Sequence, residues 1–265
     1  MRHRNQAGSR TIKTVDKAML LLRQFSLESL EIGLNDLARA SGQDKAVTRR
    51  LLLSLSKHGF IEQNPETRKY RLGHGFLSLA RLREATVPMV KATQVVTQWL
   101  SAQANETVHV GIPGENRLAT ASYTLPARGN VINLRPAETY PFHSSSSGLA
   151  FLAFCSADTR ERLLKLKREK LTRFTVTDDE KLQQIIEETR SRGYACCRNT
   201  VEEGVASVAM PFFTDGEDPA GTIAIAVPDL NLDEARQEEL AALLRTAIGK
   251  LETALTGAPS GRVFG

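Results

Sequence analysis

LNDLARASGQDKAVTRRLLLSLSKHGFIEQNPETRKYRL, residues 34–72, is the stretch that decides the fold. Leu34, Leu37 and Ala38 give one apolar helical face, and Ser41-Gly42 ends it. Val47, Leu51 and Leu55 then recur at i, i+4 and i+8, predicting a second helix with one stripe turned inward. At about 100° per residue, Lys45, Arg49 and Ser56 share the opposite face, with Arg50 at its edge. Phe60-Ile61 and Tyr70-Arg71-Leu72 flank a turn at Asn64-Pro65-Glu66, which predicts a hairpin whose returning strand carries Arg68, Lys69 and Arg71. Two helices joined by a tight turn, the second cationic on its free face, followed by a basic hairpin, predict a winged helix-turn-helix. A surface helix whose charges only face solvent is the plainer alternative. The pattern favours a DNA-binding element.

Working outward, TVDKAMLLLRQF (residues 14–25) places Val15, Ala18, Met19, Leu22 and Phe25 at helical spacing, a scaffold helix for the reading element. Residues 1–10 are polar, basic and unpatterned. They read as a disordered arm, either a frayed terminus or a minor-groove arm. Residues 73–83 carry Phe76, Leu79, Ala80 and Leu82, a connector helix. Pro88 suits the first turn of a further helix at 88–104 that carries Val90, Val95, Val96, Trp99 and Leu100. A domain boundary is therefore expected near residues 84–88. Charge changes there as well. Residues 1–86 hold 16 Lys and Arg against 8 Asp and Glu, whereas residues 87–265 hold 19 against 22. A basic front on a slightly acidic remainder fits a nucleic-acid module joined to a domain that avoids polyanions.

Beyond that boundary, strands are expected at 107–112, 118–123, 130–134, 205–213 and 222–227, and helices at 145–155, 158–169, 179–192 and 233–256. The alternation indicates a mixed α/β domain. No run approaches 18 apolar residues, so no membrane partner is expected. Cys155, Cys196 and Cys197 make an odd count with no paired spacing, which speaks against a disulfide framework and for a reducing cytoplasm. No G-x-S-x-G, Walker or metal-ligand spacing is present, so neither an enzyme nor a cofactor is expected. An enzyme with Cys196 or Cys197 as nucleophile and His109 or His143 as base is the weaker alternative, and an effector-independent structural DNA-binding protein is another.

The second half turns on His143 and the run Ser144, Ser145, Ser146, Ser147 ahead of Gly148. One serine is needed to cap the apolar helix behind it. The others, with the free N–H groups and positive dipole end of that helix, can hold a carboxylate. The adjacent cysteines admit two meanings, packed small hydrophobes or an oxidation sensor activated by Arg198, and packing is favoured. His109, inside a strand, reads as a core or surface residue.

The chain resembles the IclR family of bacterial transcriptional regulators over nearly its whole length. The resemblance rests on TVDKAMLLLRQF, LNDLARASGQDKAVTRRLL and HGFIEQNPETRKYRLG in the first half. In the second it rests on PFHSSSSGLAFLAF, RGYACCRNTVEEGVASVAMPFF and AGTIAIAVP. It implies an α+β architecture, a winged helix-turn-helix domain followed by a GAF-like α/β effector-binding domain, with a homodimer or homotetramer on double-stranded operator DNA. It also implies a small organic-acid effector and control of a catabolic operon. Ser146 and Ser147 match the family's pocket wall, Cys197 and Ser207 match pocket-lining positions, and Ala224 and Ala226 stand where two serines are common. Leu149 replaces a frequent Lys or Arg. These departures imply a more apolar pocket and tilt the effector toward an aromatic or longer-chain carboxylate.

The expected organisation is thus an arm at 1–10, the winged helix-turn-helix at 11–73 and a connector helix at 74–87. The effector-binding and oligomerisation domain follows at 88–257, with a tail at 258–265. Lys45, Thr48 and Arg49 are the expected base readers, with Gln43 at the helix entrance. Arg50, Arg68, Lys69 and Arg71 are the expected phosphate contacts. His143, Ser145, Ser146, Ser147, Cys197, Ser207, Ala224 and Ala226 are the expected effector site.

Overall fold

A computed structural model describes residues 11–26, 28–86, 89–128, 131–132 and 139–261. The expectations for the arm at 1–10 and for Pro88 lie outside these residues. The chain divides into two compact units, Met1–Thr86 and Val87–Gly265.

The first unit contains α1 (Lys13–Leu22), α2 (Leu34–Ala40), α3 (Lys45–Lys57), the antiparallel pair β1 (Ile61–Gln63) and β2 (Tyr70–Leu72), and α4 (Gly75–Thr86). Its core is small: Leu21, Leu37, Leu52, Ile61 and Tyr70 are buried together, with Leu22, Phe25 and Leu55 against them. Two apolar stripes differ from expectation. In α1 the buried residue is Leu21, while Val15 and Met19 are exposed. In α3 the inward stripe is Thr48, Leu51, Leu52 and Leu55, at i, i+3, i+4 and i+7, rather than one led by Val47. A one-residue rotation of a helix is about 100°, enough to exchange an outward side chain for an inward one.

The second unit is a six-stranded antiparallel sheet, order β5-β4-β3-β8-β7-β6, with helices on both faces. Its strands are β3 (Thr107–Pro113), β4 (Arg117–Thr124), β5 (Thr139–Pro141), β6 (Ala195–Arg198), β7 (Val205–Phe212) and β8 (Gly221–Pro228). Its helices are α5 (Met89–Ala104), α6 (Ser146–Phe154), α7 (Ala157–Leu164), α8 (Asp179–Arg192) and α9 (Glu234–Thr256). One face, carrying Val108, Val208, Ile223 and Ile225, packs with Leu100 of α5 and Leu244 of α9. The opposite face, with Ala195, Cys197, Ala209 and Ala224, packs with Leu149 and Leu152 of α6 and Ile186 of α8. Helix α6 is buried nearly all round, as its unbroken apolar run requires. Strands β5 and β6 were not anticipated. The strand expected at 130–134 is not one at Val131 and Ile132, its two described residues. Ile132 instead accepts a hydrogen bond from the Thr107 hydroxyl through its carbonyl, at 2.9 Å.

Candidate functional site

In the first unit the turn between α2 and α3 is made by Gly42, at φ 64°, where a side chain is disfavoured. Asp44 then caps α3, its carboxylate accepting from the Ala46 and Val47 amides at 2.7 and 3.3 Å. The cap fixes where the helix begins, and the buried stripe fixes its rotation. Lys45, Arg49 and Arg50 consequently face solvent, and none has an acidic partner among the described residues. Thr48 does not join them. It is fully buried, and its hydroxyl donates to the Asp44 carbonyl at 2.9 Å, so it has no path to a base edge. Gln43 is likewise committed inward: its side-chain amide donates to the Lys17 carbonyl of α1 at 2.9 Å, tying the turn to the scaffold helix.

The wing has its own order. Asn64 accepts from the Glu66 and Thr67 amides, forming an Asx turn, and Arg68 sits in the left-handed region at φ 59°. Glu31 lies beneath, accepting from Asn64 and from the Thr67 hydroxyl. These bonds and the nearby Arg71 hold its carboxyl below the usual carboxylate range. Arg71 is ion-paired to Glu62 at 3.2 Å and lies 3.9 Å from Glu31. Arg68 and Lys69 are the wing cations left exposed without an ion pair among the described residues.

In the second unit Ser145 is the N-cap of α6. Its hydroxyl accepts from the Gly148 amide at 2.9 Å and donates to the Pro141 carbonyl at 2.7 Å, so both its functions are used in the fold. Ser145 thus leaves the expected effector set. Ser146 and Ser147 form the first turn, 2% and 1% exposed. Gly148 lets that turn pack on the chain entering it, since a Cβ there would stand 2.4 Å from Phe142 Cα and from the Phe142 and Pro141 carbonyl oxygens.

Sheet register brings the remaining residues together. Ser207 pairs with Ala226 and with Cys197, and Ala224 pairs with Ala209 and with His109. Alternation along each strand puts Cys197, Ser207, Ala224, Ala226 and His109 on the face that α6 covers. His109, read from the sequence as a core or surface residue, is in the core on this face. It is 5% exposed and stacks on Tyr140 with ring centroids 4.8 Å apart, and its Nε2 lies 3.3 Å from the Ser147 hydroxyl. Its Nδ1 is buried with no hydrogen-bond partner among the described residues. Burial pushes its pKa down to about 4, so it is neutral at physiological pH.

His143 goes elsewhere. Its Nε2 is 3.0 Å from the Glu169 carbonyl, and it lines a separate cleft with Arg117 and Arg168. The two adjacent cysteines point to opposite faces of the sheet, Cys196 toward the α5/α9 core and Cys197 toward α6. Burial raises both thiols, Cys197 up to about 12, which is the reverse of an activated thiolate.

Comparison with known proteins bears on both units. Residues 14–65 match the IclR helix-turn-helix domain, and residues 85–253 match the bacterial transcriptional regulator IclR C-terminal domain. The glycerol operon regulatory protein of Streptomyces coelicolor is 26% identical over 239 residues, covering 89% of this chain and 94% of that protein. The crystal structure of an IclR transcriptional regulator from Silicibacter sp. TM1040 superposes with a TM-score of 0.89 at 35% identity, covering 94% of this chain and 98% of that one. An IclR homolog from Microbacterium hydrocarbonoxydans, solved in complex with 4-hydroxybenzoate, has the same fold with a TM-score of 0.71 at 20% identity, over 91% of this chain and 98% of its own. With both units matched in order and over nearly the whole length, the chain belongs to the IclR family of bacterial transcriptional regulators.

Proposed function

We propose that this chain reads operator DNA with the exposed cations of α3 and the wing, and alters that reading when a small organic acid binds where α6 starts. Like its IclR relatives it is a transcriptional regulator and not an enzyme. Lys45 and Arg49 are the proposed base readers, because Arg and Lys on a recognition helix match the O6/N7 edge of guanine. Arg50, Arg68 and Lys69 are the proposed phosphate contacts, joined by Arg71 to the extent that phosphate competes with Glu62.

One observation carries the effector half: Ser146, Ser147, Cys197, Ser207, Ala224, Ala226 and His109 share one side of the sheet at the N-terminus of α6. A carboxylate there meets hydroxyl and backbone N–H donors and a neutral imidazole. Cys197, Ala224 and Ala226 make that face small and apolar, which supports an aromatic or longer-chain acid and a catabolic operon as the target. A homodimer or homotetramer fits the exposed apolar residues Val15, Met19 and Leu20 on α1 and Leu77, Leu79 and Leu82 on α4, which need a cover. A cytoplasmic location goes with this reading, and no helix among the described residues is long and apolar enough to cross a membrane.

Fluorescence anisotropy on the chain's own upstream DNA, with random duplex as competitor, tests both halves. Specific binding that falls steeply with salt and shifts with one acid is the expected result. Equal binding to both duplexes removes the reading of DNA sequence. Specific binding blind to every acid leaves an effector-independent DNA-binding protein.

A further inference from the structure

The cleft that takes His143 is a cavity of the effector unit, about 490 Å³, within the range of small-molecule sites. Its floor is apolar: Phe142, Leu152 and Leu163, with Leu164 and Leu166 as walls. Its rim is cationic, from Arg117, Lys167 and Arg168. None of Ser146, Ser147, Cys197, Ser207, Ala224 or Ala226 lines it.

The rim charges are held differently. Arg117, the first residue of β4, donates from Nε to the Thr139 hydroxyl at 2.9 Å and from Nη2 to the Thr139 carbonyl at 3.1 Å. Both acceptors are neutral, so the guanidinium is fixed in direction, keeps its full charge and has three N–H groups to spare. Lys167 is exposed and has no ion pair among the described residues. Arg168 is 13% exposed and is offset by Asp179 at 2.6 Å, with further bonds to the Thr177 and Leu164 carbonyls. Glu169 is the acidic residue of the lining, and its backbone carbonyl takes the Nε2–H of His143. With Nε2 donating, a neutral His143 presents Nδ1 as an acceptor. The balance leaves Arg117 and Lys167 against Glu169 around an apolar floor.

We propose that this cleft is a second ligand site, for a carboxylate that carries an apolar alkyl or aryl body. The head group pairs with Arg117 and Lys167 at the rim, and the body lies on Phe142, Leu152 and Leu163. A phosphate dianion without an apolar part leaves the floor wet and meets two cations partly offset by Glu169, so it is the poorer fit. The site stands apart from the sheet-face site and does not depend on it. The two are joined by the chain itself, since Pro141–His143 borders the cleft and the next four residues begin α6.

Isothermal titration of the full-length protein with octanoate, octanol, inorganic phosphate and 3-phenylpropionate tests this. Octanoate or 3-phenylpropionate binds, whereas octanol and phosphate bind at least about tenfold more weakly. Arg117→Gln and Lys167→Ala each weaken carboxylate binding by about tenfold, and Leu166→Gln weakens it by disturbing the wall. In Ser147→Ala the binding event that depends on Arg117 and Lys167 persists, whatever acid the sheet-face site loses, which separates this cleft from the sheet-face site. Circular dichroism of each variant distinguishes lost binding from lost fold, and Lys167→Ala, at an exposed position, serves if Arg117→Gln disturbs β4. Equal affinity for octanol and octanoate, wild-type affinity in both rim variants, loss of binding only in Ser147→Ala, or no binding of either carboxylate overturns the proposal.

Discussion

Arg49 and Ser147 both stand in the opening turns of capped helices, and they are used in opposite ways. Arg49 follows the Asp44 cap of α3 and faces water, in a unit whose core is a handful of side chains. Ser147 follows the Ser145 cap of α6 and is 1% exposed, between a helix that is buried nearly all round and a six-stranded sheet. A reading surface has to be exposed, because its partner is a polyanion that arrives from solvent and is held by charge. A sensing site has to be enclosed, because a small ligand gains most from groups already stripped of water. The cost of enclosure is packing tolerance. Around α3 a change on the free face alters charge alone, while around α6 a single methyl group meets backbone on two sides.

The sharpest test of that contrast is a pair of glycines. Gly148→Ala places a Cβ 2.4 Å from the Phe142 and Pro141 carbonyl oxygens, and neither can yield without moving β5 or the start of α6. A loss of about 3 kcal/mol in the stability of the effector unit is expected. Gly42→Ala in the first unit meets nothing within 4 Å and carries only the left-handed backbone penalty, a loss of about 1 kcal/mol. Urea unfolding of the two variants measures the difference, and equal losses break the comparison.

Acid provides the next test. His109 titrates near 4 in the folded chain because it is buried, against about 6.5 when unfolded. Between those values the unfolded state binds a proton that the folded state does not, so stability is fully present above pH 6.5 and declines as pH falls toward 4. The span corresponds to roughly 3 kcal/mol. His109→Gln removes the titrating group, so its unfolding free energy is expected to fall less than the wild type's over that window. Parallel pH profiles for the two proteins contradict a buried neutral imidazole.

These tests mark where sequence and structure part. The helix-turn-helix was legible because exposure there is periodic: charges on one side of α3 and leucines on the other announce the helix and its use together. The N-cap of α6 was legible for a similar local reason, a serine ahead of an apolar run. What was not legible was phase and pairing. Thr48 was expected among the base readers beside Arg49, but a stripe that includes Thr48 and Leu52 as well as Leu51 and Leu55 turns it inward. His109 joins Ala224 through strand pairing across more than a hundred residues, and Ser147 through a helix laid on the sheet 38 residues on, which no local pattern encodes. Strand β5, of three residues, carries too short an alternation to register. Ser207, Cys197 and the two alanines reached the site through family resemblance. Small side chains carry no chemical signal of their own.

Within the reading surface the two classes of cation are expected to separate. Arg49→Ala lowers affinity for the specific duplex by roughly tenfold to a hundredfold with a much smaller loss on random DNA, the mark of a base contact. Lys69→Ala weakens both duplexes alike and lowers the salt slope by about one ion. Competition anisotropy across a salt series separates them. Equal losses on both duplexes for Arg49→Ala return Arg49 to the phosphate class.

The smallest expected effect falls on Thr48, and it tests the rotation of α3 directly. Thr48→Val keeps the shape of a fully buried side chain and removes one hydroxyl, which donates to the Asp44 carbonyl inside the same helix. That carbonyl also accepts the Thr48 amide at 2.8 Å, so losing the side-chain bond leaves it satisfied. A stability change of about 1 kcal/mol or less follows, with no change in base preference at any operator position. Arg49, one residue on and facing solvent, is the neighbour that should show such a change. A shift in preference at a single base in Thr48→Val would mean that α3 turns by about 100° on DNA, and that the buried stripe of the free protein is not the one it uses when bound.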